Sequence, residues 1–295
     1  MTGRGGYHDA VVLSMKTESV LGLGPHGFHR IAYTEWGEPT ALRTLICVHG
    51  LTRNGRDFDR LAASFADRWR VICPDVPGRG RSDWLPVADY NNAQYLADMT
   101  ALIARVGAME LDWVGTSMGG LIGMQLAAQP NTPIRRLVLN DIGPYIPKAA
   151  LERIGEYVGA DPRFATLDEL EAYLRRVHAP FGPMSDQDWR HLALQGYRRL
   201  EGGGFGLAYD PAIGQAFRAN GLKDVNLWPL WDAVRCPVLV LHGGESDLLL
   251  SETTAEMRRR GPATEVVDIP GVGHAPALVA ENTIAVVRDW LSATA

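Results

Sequence analysis

Leu111-Asp112-Trp113-Val114-Gly115-Thr116-Ser117-Met118-Gly119-Gly120 passes from an apolar, strand-like run through a G-x-S-x-G turn into helix-like sequence. In such a turn the central serine occupies a strained corner, and small residues stand two positions to either side because the backbone folds back too tightly for a Cβ. Ser117 is therefore the candidate nucleophile. The stretch that follows, Met118 to Ala128, carries no charged side chain, as expected of a helix buried against a sheet. Its N-terminus would point at the serine, where unpaired N–H groups and the helix dipole favour developing negative charge. With 32 glycines in 295 residues a chance G-x-S-x-G is easily met. Strand before, helix after and suitable partners elsewhere decide for the catalytic reading.

Working outward, strand-like and helix-like runs alternate from Thr44 onward. Leu45-Ile46-Cys47-Val48 ends in His49-Gly50, and Arg56 to Ala66 follows as a short amphipathic helix. Val71-Ile72-Cys73 is closed by Asp75-Val76-Pro77-Gly78-Arg79-Gly80-Arg81-Ser82-Asp83, a loop rich in turn formers, after which Leu96, Met99, Ile103 and Val106 recur at helical spacing. Arg136 to Asn140, Pro237 to His242 and Glu265 to Ile269 read as further strands. Continuous apolar strands separated by helices predict an α/β fold with a parallel sheet wrapped on both faces. Near the start, Gly22-Leu23-Gly24-Pro25-His26-Gly27 spells G-x-G-x-x-G but holds a proline and precedes strand-like Phe28 to Tyr33, so it reads as a hairpin turn and not a phosphate loop.

One segment breaks the alternation. Between Gly143-Pro144 and about Trp228 no strand-like run occurs; Leu151 to Val158, Leu167 to His178 and Asp186 to Leu200 read as helices, and Gly202-Gly203-Gly204 as a hinge. The prediction is a core of residues 1–143 and 229–295 with a helical cap, 144–228, inserted between two core strands.

Composition narrows the partners. A net charge of −5 with scattered basic residues gives no surface for nucleic acid or membrane. Cys47, Cys73 and Cys236 are odd in number, far apart and set in apolar runs, which argues for reduced core residues over disulfides or zinc ligands. The N-terminus, with Arg4, His8 and Asp9 before a very short apolar run, lacks a signal-peptide h-region, and no run is long enough to span a bilayer, so a cytoplasmic location is expected. No His, Cys and carboxylate cluster stands at metal-ligand spacing.

A serine hydroxyl needs a base, and the base an orienting acid. Of eight histidines, His274 stands out on the glycine-flanked loop Pro270-Gly271-Val272-Gly273-His274-Ala275-Pro276 after the last strand. His49 is read as a brace for its loop, His242 holds a similar post-strand place, and His178 and His191 fall in the cap. The order Ser, Asp/Glu, His favours Asp247 in Gly243-Gly244-Glu245-Ser246-Asp247 as the acid, with Asp141, directly after Leu139-Asn140, as its rival. Two backbone N–H groups, of Met118 and Leu51, are expected to form an oxyanion hole.

Together, His49-Gly50-Leu51-Thr52-Arg53-Asn54, Asp75 to Ser82, Gly115 to Gly120, Ser246-Asp247 and Gly273-His274 resemble the α/β-hydrolase superfamily in its capped, esterase-like branch. The resemblance spans roughly Phe28 to the C-terminus. It implies a mostly parallel eight-stranded sheet flanked by helices, a cap above the sheet's C-terminal edge, no cofactor, and the roles just assigned. A serine where similar dehalogenases and epoxide hydrolases carry aspartate turns the reading from those activities. The expected function is hydrolysis of small carboxylic esters through an acyl-enzyme; the alternatives are a C–C hydrolase of vinylogous keto acids, a lactonase, a hydrolase of short hydroxyalkanoate oligomers, a cofactor-free perhydrolase, or a small-molecule receptor that keeps its triad.

Overall fold

Apolar residues of either parity in the central strands need a hydrophobic layer on each side, and the computed structural model, which describes residues 15–293, supplies both. The N-terminal reading that rested on Arg4, His8 and Asp9 lies outside the described residues. Strands β1 (Met15–Gly24), β2 (Gly27–Trp36), β3 (Arg43–Val48), β4 (Trp69–Pro74), β5 (Leu111–Thr116) and β6 (Ile134–Asn140) are the first six of one eight-stranded sheet. A long segment intervenes before β11 (Val238–Gly243) and β12 (Thr264–Ile269) complete it, in the order β1-β2-β4-β3-β5-β6-β11-β12. All neighbours from β4 to β12 run parallel; β1 and β2 are antiparallel to each other, and β2 to β4. Gly22 to Gly27 forms the expected hairpin, Gly24 pairing with Gly27.

Side chains alternate across the pleat. Ile46, Val48, Ile72, Trp113, Leu137, Leu139 and Val240 enter one hydrophobic layer, whereas Leu45, Cys47, Val71, Val114, Val138 and Leu241 enter the other. Helix α1 (Asp59–Phe65) and the C-terminal helix Glu281–Ser292 cover the second layer through Leu61, Phe65, Ile284 and Val287. Helices α2 (Asn92–Val106) and α3 (Met118–Ala127) cover the first through Met99, Leu102, Ile122 and Met124. The three cysteines are buried and unbridged. Among the described residues no helix is long and apolar enough to cross a membrane.

The segment between β6 and β11 contributes α4 (Lys148–Gly155), α5 (Leu167–Val177), α6 (Asp186–Gln195), α7 (Ile213–Arg218) and α8 (Trp228–Trp231). It is not purely helical. Strands β7 (Tyr145–Ile146) and β10 (Val225–Asn226) pair antiparallel where the segment leaves and rejoins the core. The helix expected over Asp186 to Leu200 stops at Gln195, and β8 (Tyr197–Arg199) then pairs with β9 (Phe205–Leu207). Gly202, Gly203 and Gly204 are the turn of that hairpin, all at positive φ (87°, 100° and 82°), a backbone that suits only glycine. The three-glycine run is thus a turn, not a hinge between helices. Leu170, Leu174, Trp189 and Leu192 join the same hydrophobic layer as α2 and α3, so this segment packs as a continuation of the core.

Candidate active site

The serine turn is dictated by two close approaches. A Cβ on Gly115 would lie 2.3 Å from the Gly119 carbonyl oxygen, and one on Gly119 would lie 2.0 Å from that of Val48. Glycine is the only residue that lets β5, α3 and β3 meet so closely. Ser117 sits between them at φ 51° and ψ −114°, a conformation a non-glycine residue holds only under constraint from its surroundings. Its hydroxyl projects at the C-terminal edge of the sheet, at the start of α3.

Ser117 Oγ lies 2.9 Å from His274 Nε2, and His274 Nδ1 lies 2.8 Å from Asp141 Oδ2. The imidazole is almost wholly buried and the Asp141 carboxylate completely so. Asp141 also accepts from the Gly243 N–H at 2.7 Å and from the Ser246 hydroxyl at 2.6 Å. Three donors therefore hold one carboxylate, and its bond to His274 fixes Nδ1 as the protonated nitrogen. Nε2 is left to accept from the serine.

This corrects the expectation for Asp247. After β11 the chain turns back tightly, with Ser246 N–H on the Gly243 carbonyl at 2.8 Å, so it is the Ser246 hydroxyl that reaches the acid site. Asp247, one residue on, points toward the inserted segment and holds the Arg153 guanidinium of α4 through both carboxylate oxygens, Nη2 to Oδ1 at 2.7 Å. Burial raises its carboxyl, but the Arg153 bond and charge outweigh that and hold it below the usual carboxylate range. In the sheet Asp141 follows the strand directly beside β5, whereas Asp247 follows the next one out.

The two expected oxyanion donors flank the serine. Met118 opens α3, where N–H groups have no partner inside the helix, and among the described residues the Leu51 N–H meets no protein acceptor. The Gly50–Leu51 peptide is fixed by His49. Burial pushes that imidazole down to about 3, against the opposing hydrogen bond to Gly50, so it is neutral; Nδ1–H donates to the Gly50 carbonyl at 2.7 Å while Nε2 accepts from the Val76 N–H at 2.9 Å. His242 is likewise a brace, bonded to Asp268 and the Leu249 carbonyl.

Arg79 was not singled out from the sequence, and it holds the same region from behind. Fully buried, it donates from Nε to the Leu51 carbonyl at 2.8 Å and from Nη1 to the Pro77 carbonyl at 2.8 Å and the Tyr95 hydroxyl at 2.9 Å; Nη2 lies 3.5 Å from Met118 Sδ. No carboxylate of the described residues pairs with it. Its own backbone bridges to Tyr209 of the inserted segment, with Gly80 N–H on the Ala208 carbonyl and Asp210 N–H on the Gly78 carbonyl, both at 2.8 Å. A buried cation thus touches both Leu51 and Met118.

Ser117, His274, Leu51 and Met118 open onto a cavity of about 250 Å³ whose other walls are largely apolar, Ile142, Ile146, Leu151 and Phe217 among them. Among the described residues no group of three His, Cys, Asp or Glu side chains is disposed to hold a metal ion.

A family model described as alpha/beta hydrolase fold matches residues 43–281. The 3-hydroxybutyrate-oligomer hydrolase of Cupriavidus necator is 48% identical over 279 residues, 92% of this chain and 95% of that protein. The 2-(acetamidomethylene)succinate hydrolase of Mesorhizobium japonicum is 31% identical over 233 residues, 78% of this chain and 81% of its own length. Among solved structures, an alpha/beta hydrolase from Novosphingobium aromaticivorans superposes with a TM-score of 0.83 at 36% identity, covering 93% of this chain and 98% of that one.

Proposed function

The chain belongs to the α/β-hydrolase superfamily and is a hydrolase, and from that premise we propose that it cleaves carboxylic esters through an acyl-enzyme, its substrates being short oligomers of a 3-hydroxyalkanoate. The observation that carries the chemistry is the continuous chain of hydrogen bonds from Ser117 Oγ through His274 to Asp141, at 2.9 and 2.8 Å. The similarity to the Cupriavidus necator oligomer hydrolase, extending over nearly the whole of both chains, supports the substrate class.

In the first half-reaction Ser117 Oγ attacks the ester carbonyl carbon as its proton passes to His274 Nε2. The carbonyl oxygen becomes an oxyanion held by the Leu51 and Met118 N–H groups, with the α3 dipole and the buried Arg79 charge adding to the positive field there. Collapse breaks the bond to the alcohol oxygen, which takes the proton from His274 and leaves. Water then attacks the acyl-enzyme, its proton going to His274, and the acid is released with Ser117 restored. Asp141 keeps the imidazole in the productive tautomer and stabilises it as it charges. The segment 144–228 serves as a cap: it closes the pocket over the serine and limits what fits.

The test is fluorophosphonate labelling followed by turnover of p-nitrophenyl esters and of a 3-hydroxybutyrate dimer and trimer. Labelling confined to Ser117, abolished in Ser117→Ala, together with dimer and trimer cleavage, is expected. Labelling without turnover of any ester would support a receptor and overturn the proposal.

A further inference from the structure

Two polar side chains in the cavity wall have nitrogens the fold does not use. His178, at the end of α5, is 7% exposed and stacks its ring on Phe181 with centroids 4.5 Å apart, yet among the described residues neither ring nitrogen has a hydrogen-bond partner. Arg53 is 6% exposed and gives Nε and Nη2 to Asp57 at 2.9 and 2.6 Å, which leaves Nη1 without an acceptor among the described residues. Both residues line the cavity beside Ser117 and also a smaller recess of about 20 Å³ that shares several of its walls and is lined by Tyr157 and Tyr209. These nitrogens are not sealed in the core, for the fully buried unpaired polar atoms of the described residues lie elsewhere, and each keeps surface on which a bound polar group can pair with it at a gain in a low-dielectric site. Both side chains border the space a substrate would fill.

We propose that Arg53 and His178 form a subsite for a neutral oxygen function, a hydroxyl or an ester carbonyl, on the acyl chain of the substrate. This rests on the ester-hydrolase reading above. Asp57 cancels the Arg53 charge, and burial together with the nearby guanidinium keeps His178 uncharged. The subsite therefore carries no net charge, and a carboxylate placed there would lose its hydration without a counter-charge in return. A neutral oxygen gains a donor from Arg53 Nη1 and either a donor or an acceptor from the imidazole. The acyl side is favoured over the alcohol side because Arg53 stands two residues beyond Leu51, on the loop whose N–H holds the acyl oxygen. An acyl chain oxygenated a few bonds from its carbonyl would be preferred to a plain alkyl chain of the same length.

The experiment compares kcat/KM for p-nitrophenyl butyrate, 3-hydroxybutyrate, 3-acetoxybutyrate and hemisuccinate in the parent, His178→Phe and His178→Gln. One to two hydrogen bonds to uncharged partners predict that the parent favours at least one of the two oxygenated esters over butyrate by about ten-fold, and does not favour the hemisuccinate. A larger hydroxy preference identifies the hydroxyl as the recognised group, a larger acetoxy preference the carbonyl. Phenylalanine keeps the stack on Phe181 but has no nitrogen, so the ratio of oxygenated to plain ester should fall toward one; glutamine, with a donor and an acceptor, should restore part of it. A parent without the preference, a preference for the hemisuccinate, or an unchanged ratio in His178→Phe with a parent-like melting temperature would overturn the subsite. If butyrate is turned over and Ser117 is labelled, such a result leaves the ester-hydrolase reading standing; failure to cleave any of the esters removes both.

Discussion

Replacing Asp141 by asparagine changes one oxygen to an amide nitrogen, and the structure leaves that nitrogen no good place. Turned toward the Oδ1 position, the amide would face the Gly243 N–H at 2.7 Å, donor against donor. Turned toward Oδ2, it would face His274 Nδ1 at 2.8 Å and the Ser246 hydroxyl at 2.6 Å. The imidazole would then accept at Nδ1 and carry its proton on Nε2, the nitrogen that must take the Ser117 proton. In the first orientation the imidazole keeps its tautomer but loses the negative charge that would stabilise it once protonated; in the second the base is misplaced. The expected fall in kcat is about 10⁴-fold, roughly 5.4 kcal/mol of transition-state stabilisation. One unmatched buried donor costs about 1–3 kcal/mol of stability, so the variant should fold and melt several degrees lower. Asp247→Asn removes only a half-exposed pairing with Arg153 and should stay within a few-fold of the parent in kcat. The assay is kcat on one activated ester, normalised to fluorophosphonate-titratable sites, with a thermal melt of each protein. A nearly active Asp141→Asn, or a dead Asp247→Asn, would refute the assignment of Asp141 as the acid.

Arg79→Met keeps the side-chain length but strips the Leu51 and Pro77 carbonyls and the Tyr95 hydroxyl of their donor, so kcat should fall more steeply than KM rises; steady-state kinetics showing a lower melting temperature with unaltered kcat would reduce Arg79 to a stability residue. Gly119→Ala, which would help an ordinary helix, should instead cost several kcal/mol or prevent folding, because its Cβ would collide with the Val48 carbonyl at 2.0 Å; chemical denaturation reads this directly. His191 is raised by its hydrogen bond to Asp59, against an opposing burial effect, and so contributes stability that is whole below about 6.5 and is lost as pH climbs through the raised value. Melting temperature should therefore decline as pH rises above about 6.5, and His191→Gln should flatten that decline.

Much of the architecture was legible because period and parity act locally. The central strands read as unbroken apolar runs since both faces are covered, and Gly115 and Gly119 marked the serine turn because only glycine fits there. His274 stood out for its place on a glycine-flanked loop. The acid did not, since two aspartates follow neighbouring strands, and what separates them is a hydroxyl: Ser246 turns back to Asp141 and carries Asp247 outward. Arg79 lay inside a turn-rich loop where an arginine reads as solvated, and only the tertiary packing of Leu51, Tyr95 and Met118 around it gives it a role. The short ladders of the inserted segment, two or three residues each, fall below the length at which alternation shows in a sequence.

The stitch between Gly78–Gly80 and Ala208–Asp210 changes what kind of roof the inserted segment is. Its two roots leave β6 and re-enter β11, neighbours in the sheet, so with those alone it would be a flap hung from one side. The stitch supplies a second footing, on the loop after β4, and the hydrogen bond from the Tyr90 hydroxyl to Asp210 at 2.6 Å pins it. Between the footings lie β5 and β3, the strands that end in Ser117 and in the loop of Leu51; the span is three strand spacings, about 14 Å. The segment is an arch over the reacting groups. If it caps the site as proposed, its headroom would be a dimension of masonry and not of a swinging door, and a bulkier substrate would be admitted by shifting a footing more than by trimming one stone.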